Sequence, residues 1–377
     1  MVTLGEQQIV KLIIQIPCLN EREQLPTTFA ELPRKITGID TIEVLIVDDG
    51  SSDGTSECAE HLGVHHIVRF PRQRGLAAAY AAGIDAALRL GADIIVNTDA
   101  DNQYRADDIA LLVAPIVKGD ADIVVGDRQT DRIGHFSPVK RVLQRWGSGV
   151  VRRASGTEVR DSTSGFRAIN RKAASRLFVH NRFTYTLETL IQAGHTALVI
   201  QDVQVRTNPK TRESRLFRSI PHYLRRSVPV ILRSYAMYSP VRIFAFLSSA
   251  LFLVGLTLIG RFLYSYVQNP SESRHVQSVV AGVGALILAF LVALVAMLSD
   301  LLAANRRLLE DIMSRVRRID AELGQRGAPS RTLDGVYSTG APSWHGEVSE
   351  PRLGTRDDPA RAARASSEPK TAGRSAR

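Results

Sequence analysis

Two long uncharged segments in the C-terminal half constrain this chain most strongly. Residues 243–260 and 276–299 contain no Asp, Glu, Lys or Arg and consist mainly of apolar side chains. A helix needs about 20 such residues to cross the hydrocarbon core of a bilayer. Two buried core helices are the alternative, but they would follow an already complete domain. We therefore predict a transmembrane hairpin over 243–299, which excludes a wholly soluble protein.

Charge is distributed unevenly around this hairpin. Residues 206–242 carry nine Lys and Arg against one acid, interleaved with apolar side chains, which predicts juxtamembrane amphipathic helices. We predict that residues 300–323, which are rich in charged side chains, form a cytoplasmic helix. The loop between the two spans, 261–275, holds few basic residues. The positive-inside rule then places both outer flanks, and with them the N-terminal part of the chain, in the cytoplasm of a two-span protein of the cell membrane.

The remaining composition excludes further classes of protein. Net charge is +10, which would also suit nucleic acid, but no aromatic and basic recognition module is visible, so we expect no nucleic-acid partner. Two cysteines are too few for a disulfide framework. Residues 324–377 are rich in Gly, Pro, Ser, Ala and Arg, which predicts a disordered tail.

The N-terminal part, residues 1–205, alternates apolar runs with helical segments. The runs that predict buried strands are 9–16, 42–47, 64–69, 92–97 and 121–126. Residues 9–16 lack the basic start and cleavage site of a signal peptide, so we interpret them as the first strand. This alternation predicts an α/β domain whose sheet is connected by crossover helices.

Polar clusters follow four of these strands, at 17–21, 48–53, 98–103 and 126–128. Ligands of open α/β sheets bind beyond the carboxyl ends of strands. Asp99 and Asp101 follow a buried strand at a spacing that lets both carboxylates approach one divalent cation, and Mg²⁺ and Mn²⁺ favour such ligands. An Asp-x-Asp pair alone is often a solvated turn, so the surrounding clusters matter to this interpretation.

The ordered set of motifs resembles a known family. The segments that carry the likeness are IPCLNE, VDDGSSDGT, RGLAAAYAAGI, TDADNQY, VVGDR and DSTSGFRAINR. Together, over about residues 9–242, they resemble the inverting glycosyltransferases that include dolichyl- and polyprenyl-phosphate sugar synthases. The resemblance implies a Rossmann-like GT-A fold, a nucleotide-diphosphate sugar donor, and Mg²⁺ or Mn²⁺ as the cofactor.

The resemblance also implies roles on the donor side. The residues expected to contact the nucleoside are Pro17, Asn20, Glu21 and Asp49, with Asp48 beside them. The residues expected at the metal and the diphosphate are Asp99, Asp101 and Gln103, with Asp101 the first choice for a direct ligand.

On the acceptor side, Arg128 matches the family arginine that meets the acceptor phosphate. Arg141 falls where a second phosphate-binding arginine is expected, although Gln144 replaces a serine found in some members. Asp161 is the acid of the D-x-x-SGF element, sometimes proposed as a base. The spacing of Gln144, Arg145 and Trp146 differs from the motif of processive synthases, which disfavours that activity.

Physical chemistry favours a lipid phosphate as the acceptor. A hydroxyl must lose its proton before it attacks an anomeric carbon, whereas a phosphate monoester is already anionic near neutral pH. We therefore expect transfer of one sugar to a polyprenyl phosphate in the lipid bilayer. The alternatives are a glycosyltransferase acting on a glycolipid hydroxyl and a catalytically silent membrane scaffold. The sugar, the lipid length and the oligomeric state stay open.

Overall fold

A computed structural model describes residues 9–129, 152, 156–179, 185–208, 240–268, 276–325, 336–339 and 341–345. Most of the predicted tail 324–377 and the whole of the motif of Gln144, Arg145 and Trp146 lie outside these ranges. Arg141 is not among the described residues, and of the predicted juxtamembrane helices only residues 206–208 and 240–242 are described.

The first half of the chain alternates strands with helices, as its apolar runs predict. The elements in chain order are β1 (Lys11–Cys18), α1 (Leu25–Glu31), β2 (Thr41–Asp48), α2 (Thr55–His61), β3 (His66–Arg69), α3 (Leu76–Arg89), β4 (Ile94–Asn97), a 3-10 turn (Ala106–Asp108), α4 (Ile109–Val117) and β5 (Ile123–Asp127). All five predicted strands form, with ends shifted by at most two residues. The later elements of this domain are β6 (Arg167–Asn170), α5 (Arg171–Arg176), α6 (Thr186–His195) and β7 (Ile200–Gln204).

These strands form one mixed sheet in the order β7-β5-β6-β4-β1-β2-β3. Strands β3, β2, β1 and β4 are parallel, while β6 lies antiparallel between β4 and β5. Because β5 is antiparallel to β6, it runs in the same direction as β4. The carboxyl ends of β1, β2, β4 and β5 therefore meet at one edge, and β6 begins at that edge.

Helices cover both faces of the sheet. Within β1, Leu12, Ile14 and Ile16 belong to the core on one face, whereas Ile13 belongs to the core on the other. A strand buried on both sides is mostly apolar, which explains the nearly continuous run that the sequence shows; the buried exception in β1, Gln15, donates a hydrogen bond to Asn97.

Two long helices follow the α/β domain: α7 (Pro240–Gln268) and α8 (Val276–Gln325). Both are long and apolar enough to cross a membrane. They pack closely, since a Cβ atom added to Gly255 would lie 2.9 Å from the carbonyl oxygen of Gly282, and Ser248 donates a hydrogen bond of 2.9 Å to the Ala289 carbonyl. Both helices extend beyond the predicted spans of 243–260 and 276–299.

The predicted cytoplasmic helix 300–323 is a direct continuation of the second span in α8. Near its end, Arg317 pairs with Asp85 of α3 at 2.8 Å and donates a hydrogen bond of 2.7 Å to the Leu177 carbonyl after α5. Arg89 of α3 pairs with Asp320 at 2.6 Å. One continuous helix therefore joins the predicted membrane hairpin to the α/β domain.

Two segments of the predicted disordered tail are instead strands of the sheet. We name residues 336–345 the C-terminal clasp, of which β8 (Val336–Ser338) pairs with β3 and β9 (Trp344–His345) pairs with β2. Trp344 packs on Phe29 and His65, with ring centroids 5.6 Å and 5.1 Å away. Residues 336–339 and 341–345 of the predicted tail are therefore ordered, because the unpaired edge of β3 and an exposed apolar surface give this polar segment something to bind. Disorder of the rest of 324–377 stays a prediction.

Candidate active site

The loops that follow β1 and β2 are joined by side-chain hydrogen bonds. Asn20, in the left-handed region at a φ of 54°, accepts a hydrogen bond of 2.9 Å from the Ser52 amide, and its own amide donates one of 2.9 Å to the Ser51 hydroxyl oxygen. The Glu21 amide donates to the Thr55 hydroxyl oxygen at 3.0 Å. Asparagine tolerates this backbone conformation better than most residues, so Asn20 suits the turn. Pro17 lies in β1, buried and paired with Val47.

The two acids that end β2 differ in their environments. Asp48 is fully buried and accepts hydrogen bonds from the Ser51 amide and the Ser56 hydroxyl, so it supports the loop. Asp49 accepts hydrogen bonds from the amides of Arg74 and Gly75, at 2.6 Å and 2.8 Å, at the start of α3. Burial raises the pKa of Asp49 and outweighs these two hydrogen bonds, which lower it.

The loop after β4 brings two more carboxylates together. Burial and the negative charge of Asp101 raise the pKa of Asp99 to about 7, while Arg128 acts in the opposite direction. Asp101 accepts a hydrogen bond of 2.8 Å from the Gln103 side-chain amide. Gln103 therefore orients Asp101 here through its nitrogen.

This pair of carboxylates fits a divalent cation. Among the described residues, no group of three or more His, Cys, Asp or Glu side chains is arranged to hold a metal ion. Asp99 and Asp101 lie close enough for each charge to disfavour the other, and a cation between them would relieve that repulsion. An oxygen-only donor set suits Mg²⁺ and Mn²⁺, which keep positions for water and phosphate oxygens.

Arg128, after β5, lies beside the loop that leads into β6. Its Nε and Nη2 atoms donate to the two oxygens of Asp161 at 2.6 Å and 3.0 Å, and Nη2 also donates to the Thr163 hydroxyl at 2.8 Å. Burial would raise the pKa of Asp161, but the charge and hydrogen bonds of Arg128 outweigh it and hold that pKa below its usual value. Within the described residues, Nη1 of Arg128 has no hydrogen-bond partner, and the side chain is 23% exposed.

A second arginine, Arg167, binds the loop that leads into β6. It is buried and donates to the carbonyls of Ser162 and Ser164, at 2.9 Å and 2.8 Å, and to the Thr186 carbonyl of α6 at 2.9 Å. Burial lowers the pKa of Arg167. The motif containing Arg167 is visible in the sequence, but its role as a clamp between the loop and α6 is not.

A buried polar network supports the junction of the two loops. The Asn97 amide donates to the Gly165 carbonyl at 2.8 Å and to the Tyr185 hydroxyl at 3.0 Å. Tyr185 stacks on Tyr80 with ring centroids 3.8 Å apart. A Cβ atom added to Gly165 would lie 3.0 Å from the Tyr185 hydroxyl and 3.2 Å from Asp99 Oδ1, so only a glycine fits there without displacing a neighbour. Asn97 and Tyr185 belong to no recognisable sequence motif, so the sequence did not predict their place in this network.

The chain that leaves the domain toward the predicted membrane segments passes directly beside the loop after β4. Asn208 donates from its amide to the Gln103 carbonyl at 2.9 Å, and Thr207 forms a bridge with Tyr104. Arg206 binds the buried carboxylate of Asp108. The boundary predicted at residue 205 is therefore a point of contact with the site.

The sequence-predicted residues thus divide into two described groups. One comprises the donor-side residues after β1 and β2, and the other comprises Asp99, Asp101, Gln103, Arg128 and Asp161 around the ends of β4 and β5. Glu188 is buried in α6.

Comparisons with known proteins concern the α/β domain that carries this site. Residues 13–178 match the Glycosyl transferase family 2 profile. An uncharacterized glycosyltransferase of Mycobacterium bovis is 33% identical over 199 residues, which cover 52% of this chain and 85% of that protein. The polyprenol monophosphomannose synthase of Mycolicibacterium smegmatis is 30% identical over 172 residues, which cover 44% of this chain and 63% of that protein.

Among solved structures, a glucosyl-3-phosphoglycerate synthase of Mycobacterium tuberculosis aligns with a TM-score of 0.47 and 19% identity over 60% of this chain and 80% of that chain. The family match covers β1 to β6 and so includes every strand that carries the site. On this match, and on the identity to a glycosyltransferase over most of its length, the chain belongs to glycosyl transferase family 2 and is a glycosyltransferase with the predicted GT-A fold.

Proposed function

We propose that this glycosyltransferase transfers one sugar from a nucleotide-diphosphate sugar to a polyprenyl phosphate, with inversion at the anomeric carbon. The reaction takes place at the cytoplasmic face of the cell membrane and uses Mg²⁺ or Mn²⁺. The observation that carries the proposal is the setting of Arg128. Asp161 and Thr163 fix its guanidinium through three hydrogen bonds and leave Nη1 for a phosphate oxygen.

The pairing of Arg128 with Asp161 also bears on the choice of acceptor. A general base is effective when its pKa lies near the working pH. The pKa of Asp161 is held low, which makes it a poor acceptor for a hydroxyl proton. A phosphate monoester needs no such base, so this pairing supports a lipid phosphate over the glycolipid hydroxyl of the alternative hypothesis.

The donor side would bind the nucleotide sugar in two parts. The loops containing Asn20, Glu21 and Asp49 would hold the nucleoside, since a carboxylate that accepts two amide hydrogen bonds keeps further lone pairs for a ligand. Asp48 would hold that loop in shape, and Pro17 would shape its start. Asp99 and Asp101 would hold the cation, which offsets negative charge on the departing diphosphate.

Membrane attachment supports a lipid acceptor independently of the site. Residues 206–208 lie against the loop after β4, and α8 connects the predicted hairpin to α3. The predicted juxtamembrane segment therefore begins beside the site. A substrate anchored in the bilayer would have only a short distance to cover to reach it. Relatives in this family include a named undecaprenyl-phosphate mannosyltransferase of Micrococcus luteus, 30% identical over 165 residues, which supports the same acceptor class.

The deciding experiment is a donor and acceptor panel with the full-length protein in membranes. UDP-, GDP- and dTDP-sugars would each be offered with Mg²⁺ or Mn²⁺, and with either a polyprenyl phosphate or a diacylglycerol. Mass spectrometry of the lipids should detect a sugar-phosphate polyprenol from one donor. A product formed only on the diacylglycerol would overturn the proposal. Reporter fusions at residues 270 and 377 should give outside and cytoplasmic signals respectively.

A further inference from the structure

The cytoplasmic part of α8 carries a continuous apolar stripe that its own chain leaves exposed. Its members are Leu302, Leu309, Ile312, Val316, Ile319 and Leu323, with Asn305 completing the series. The six apolar side chains are between 47% and 69% exposed, although they lie in the charged part of the helix beyond the span. A helix face of this kind in water normally packs against a partner.

The spacing of the stripe identifies the kind of partner. From Leu302 to Leu323 the steps are three, four, three, four, three and four residues, which is the a and d pattern of a heptad repeat. An apolar repeat of 3.5 residues matches a second supercoiled helix, whereas a flat surface needs no such period. The same pattern runs back into the span through Leu288, Leu291, Val295 and Leu298.

The opposite face of α8 is already occupied. Ala303, Ser314 and Ala321 are buried, and Arg317 binds Asp85 of α3. With Leu302 as position a of the heptad, Ala303 and Arg317 occupy position b, and Ser314 and Ala321 occupy position f. Positions b and f face away from a and d. The α/β domain and a helical partner can therefore bind the same helix together.

Membrane topology restricts the partner's direction. Every copy of this chain in one bilayer has the same orientation, so the α8 helices of two copies run parallel and at equal depth. In a parallel pair, position g of one helix faces position e of the next heptad on its neighbour, here Arg315 and Asp320, which carry opposite charges. Their side chains are 68% and 41% exposed, while Arg315 also pairs with Asp311 and Asp320 with Arg89 of α3 in the same chain.

We infer that residues 302–323 of α8 form a parallel coiled coil with α8 of further copies of this chain. Leu at a positions 302, 309 and 323 with Ile at d positions 312 and 319 is the arrangement that favours three or four strands over two. The coiled coil would hold several catalytic domains around one bundle at the membrane surface. The inference is independent of the donor and the acceptor.

Cysteine cross-linking of the full-length protein in membranes tests the coiled coil. In a Cys58→Ser background, Ile312→Cys places a thiol at a d position and Arg318→Cys places a matched control at the exposed c position of the next heptad. Mild oxidation should cross-link at least half of the Ile312→Cys chains between copies and few of the Arg318→Cys chains. Equal cross-linking of the two variants would overturn the inference.

Particle mass gives a second readout. By light scattering in a mild detergent, the wild-type protein should have the mass of several copies and Ile312→Asn/Ile319→Asn that of one, whereas the surface control Asp311→Asn/Arg318→Gln should match the wild type. An unchanged mass in the Ile variant would contradict the coiled coil. So would an intrachain cross-link between Ile312→Cys and Tyr235→Cys, since the chain's own segment 209–239 would then cover the stripe.

Discussion

Arg128 and Asp161 are joined by two parallel hydrogen bonds, 2.6 Å from Nε to Oδ2 and 3.0 Å from Nη2 to Oδ1. The pair links the end of β5 to the loop before β6, and it fixes a planar guanidinium at the edge of the sheet where the ligands are expected. Lysine can keep the charge at this position but cannot reproduce the fork. The pair therefore explains why this position holds an arginine.

Replacing Arg128 should impair use of the acceptor more than binding of the donor. We expect Arg128→Ala to lower kcat/KM for polyprenyl phosphate by about 10- to 100-fold, because a hydrogen bond to a charged group is lost. Arg128→Lys should fall between Ala and the wild type. Steady-state kinetics would measure both, with Arg160→Ala as the control, since Arg160 is exposed and 3.8 Å from Asp202. Unchanged acceptor kinetics in Arg128→Ala would contradict the assignment.

Removing Asp101 should abolish most transfer and leave the fold intact. The expected loss is about 100-fold or more in kcat, because one of the two proposed metal ligands is gone and charge on the leaving diphosphate is less well offset. Turnover would be measured across a Mn²⁺ titration, beside circular dichroism. Asp107→Ala is the matched control, as its side chain is exposed on the same loop. Near-wild-type turnover of Asp101→Ala at limiting metal would show that the ligand lies elsewhere.

Gly165→Ala should disturb the Asp99 carboxylate through a single methyl group. The added atom would lie 3.2 Å from Asp99 Oδ1 and 3.0 Å from the Tyr185 hydroxyl, so one neighbour must move. We expect transfer to fall by about 10-fold or more, since small displacements at a reacting centre are costly. The double variant Gly165→Ala/Tyr185→Phe separates the two contacts. Full recovery in it would show that Asp99 had not been displaced.

Arg317→Ala should loosen α8 from the α/β domain. The change removes the ion pair with Asp85 and two hydrogen bonds to the carbonyls of Ala174 and Leu177. We expect the free energy of unfolding to fall by about 1–3 kcal/mol, the cost of leaving partly buried polar groups without partners. Denaturant unfolding in detergent would measure it. Arg318→Ala, the exposed neighbour, should stay close to wild type, and an equal effect in both would contradict the docking.

The C-terminal clasp should weaken below about pH 6.5. The Val44 amide donates a hydrogen bond to His65 Nδ1, so a neutral His65 ring carries its proton on Nε2. This Nε2–H group donates a hydrogen bond of 3.0 Å to the Pro342 carbonyl. Burial lowers the pKa of His65 from its usual 6.5, against the opposing effects of that hydrogen bond and of Glu43. The unfolded chain therefore takes up this proton first, and the contribution of His65 to stability, complete above pH 6.5, is lost as the pH falls.

Limited proteolysis of residues 336–345 between pH 7.5 and 5.5 would check this expectation. Cleavage of the wild type should increase at low pH, while His65→Gln should show a flatter dependence. His61→Gln changes an exposed histidine of α2 and should behave as the wild type. The same pH profile in His65→Gln and wild type would contradict a role for His65.

The sequence by itself determined the elements whose signals are local. Mostly apolar runs such as 42–47 predicted strands because a strand covered on both faces is rich in apolar side chains. The uncharged segments predicted the two long apolar helices from length alone. Because β1, β2, β4 and β5 share one direction, the polar clusters after them had to meet at one edge, so the location of Asp99, Asp101 and Arg128 followed from the pattern.

Only the tertiary structure decided which distant groups pair. Nothing local places β6 antiparallel between β4 and β5, yet that reversal brings Asp161 to Arg128 and Gly165 to Asp99. The partners of Arg317 lie on α3 and after α5, and the clasp became ordered only because the edge of β3 offered unpaired backbone groups. Such pairings depend on which surfaces remain exposed after the sheet has formed. A local sequence pattern does not indicate which surfaces these are.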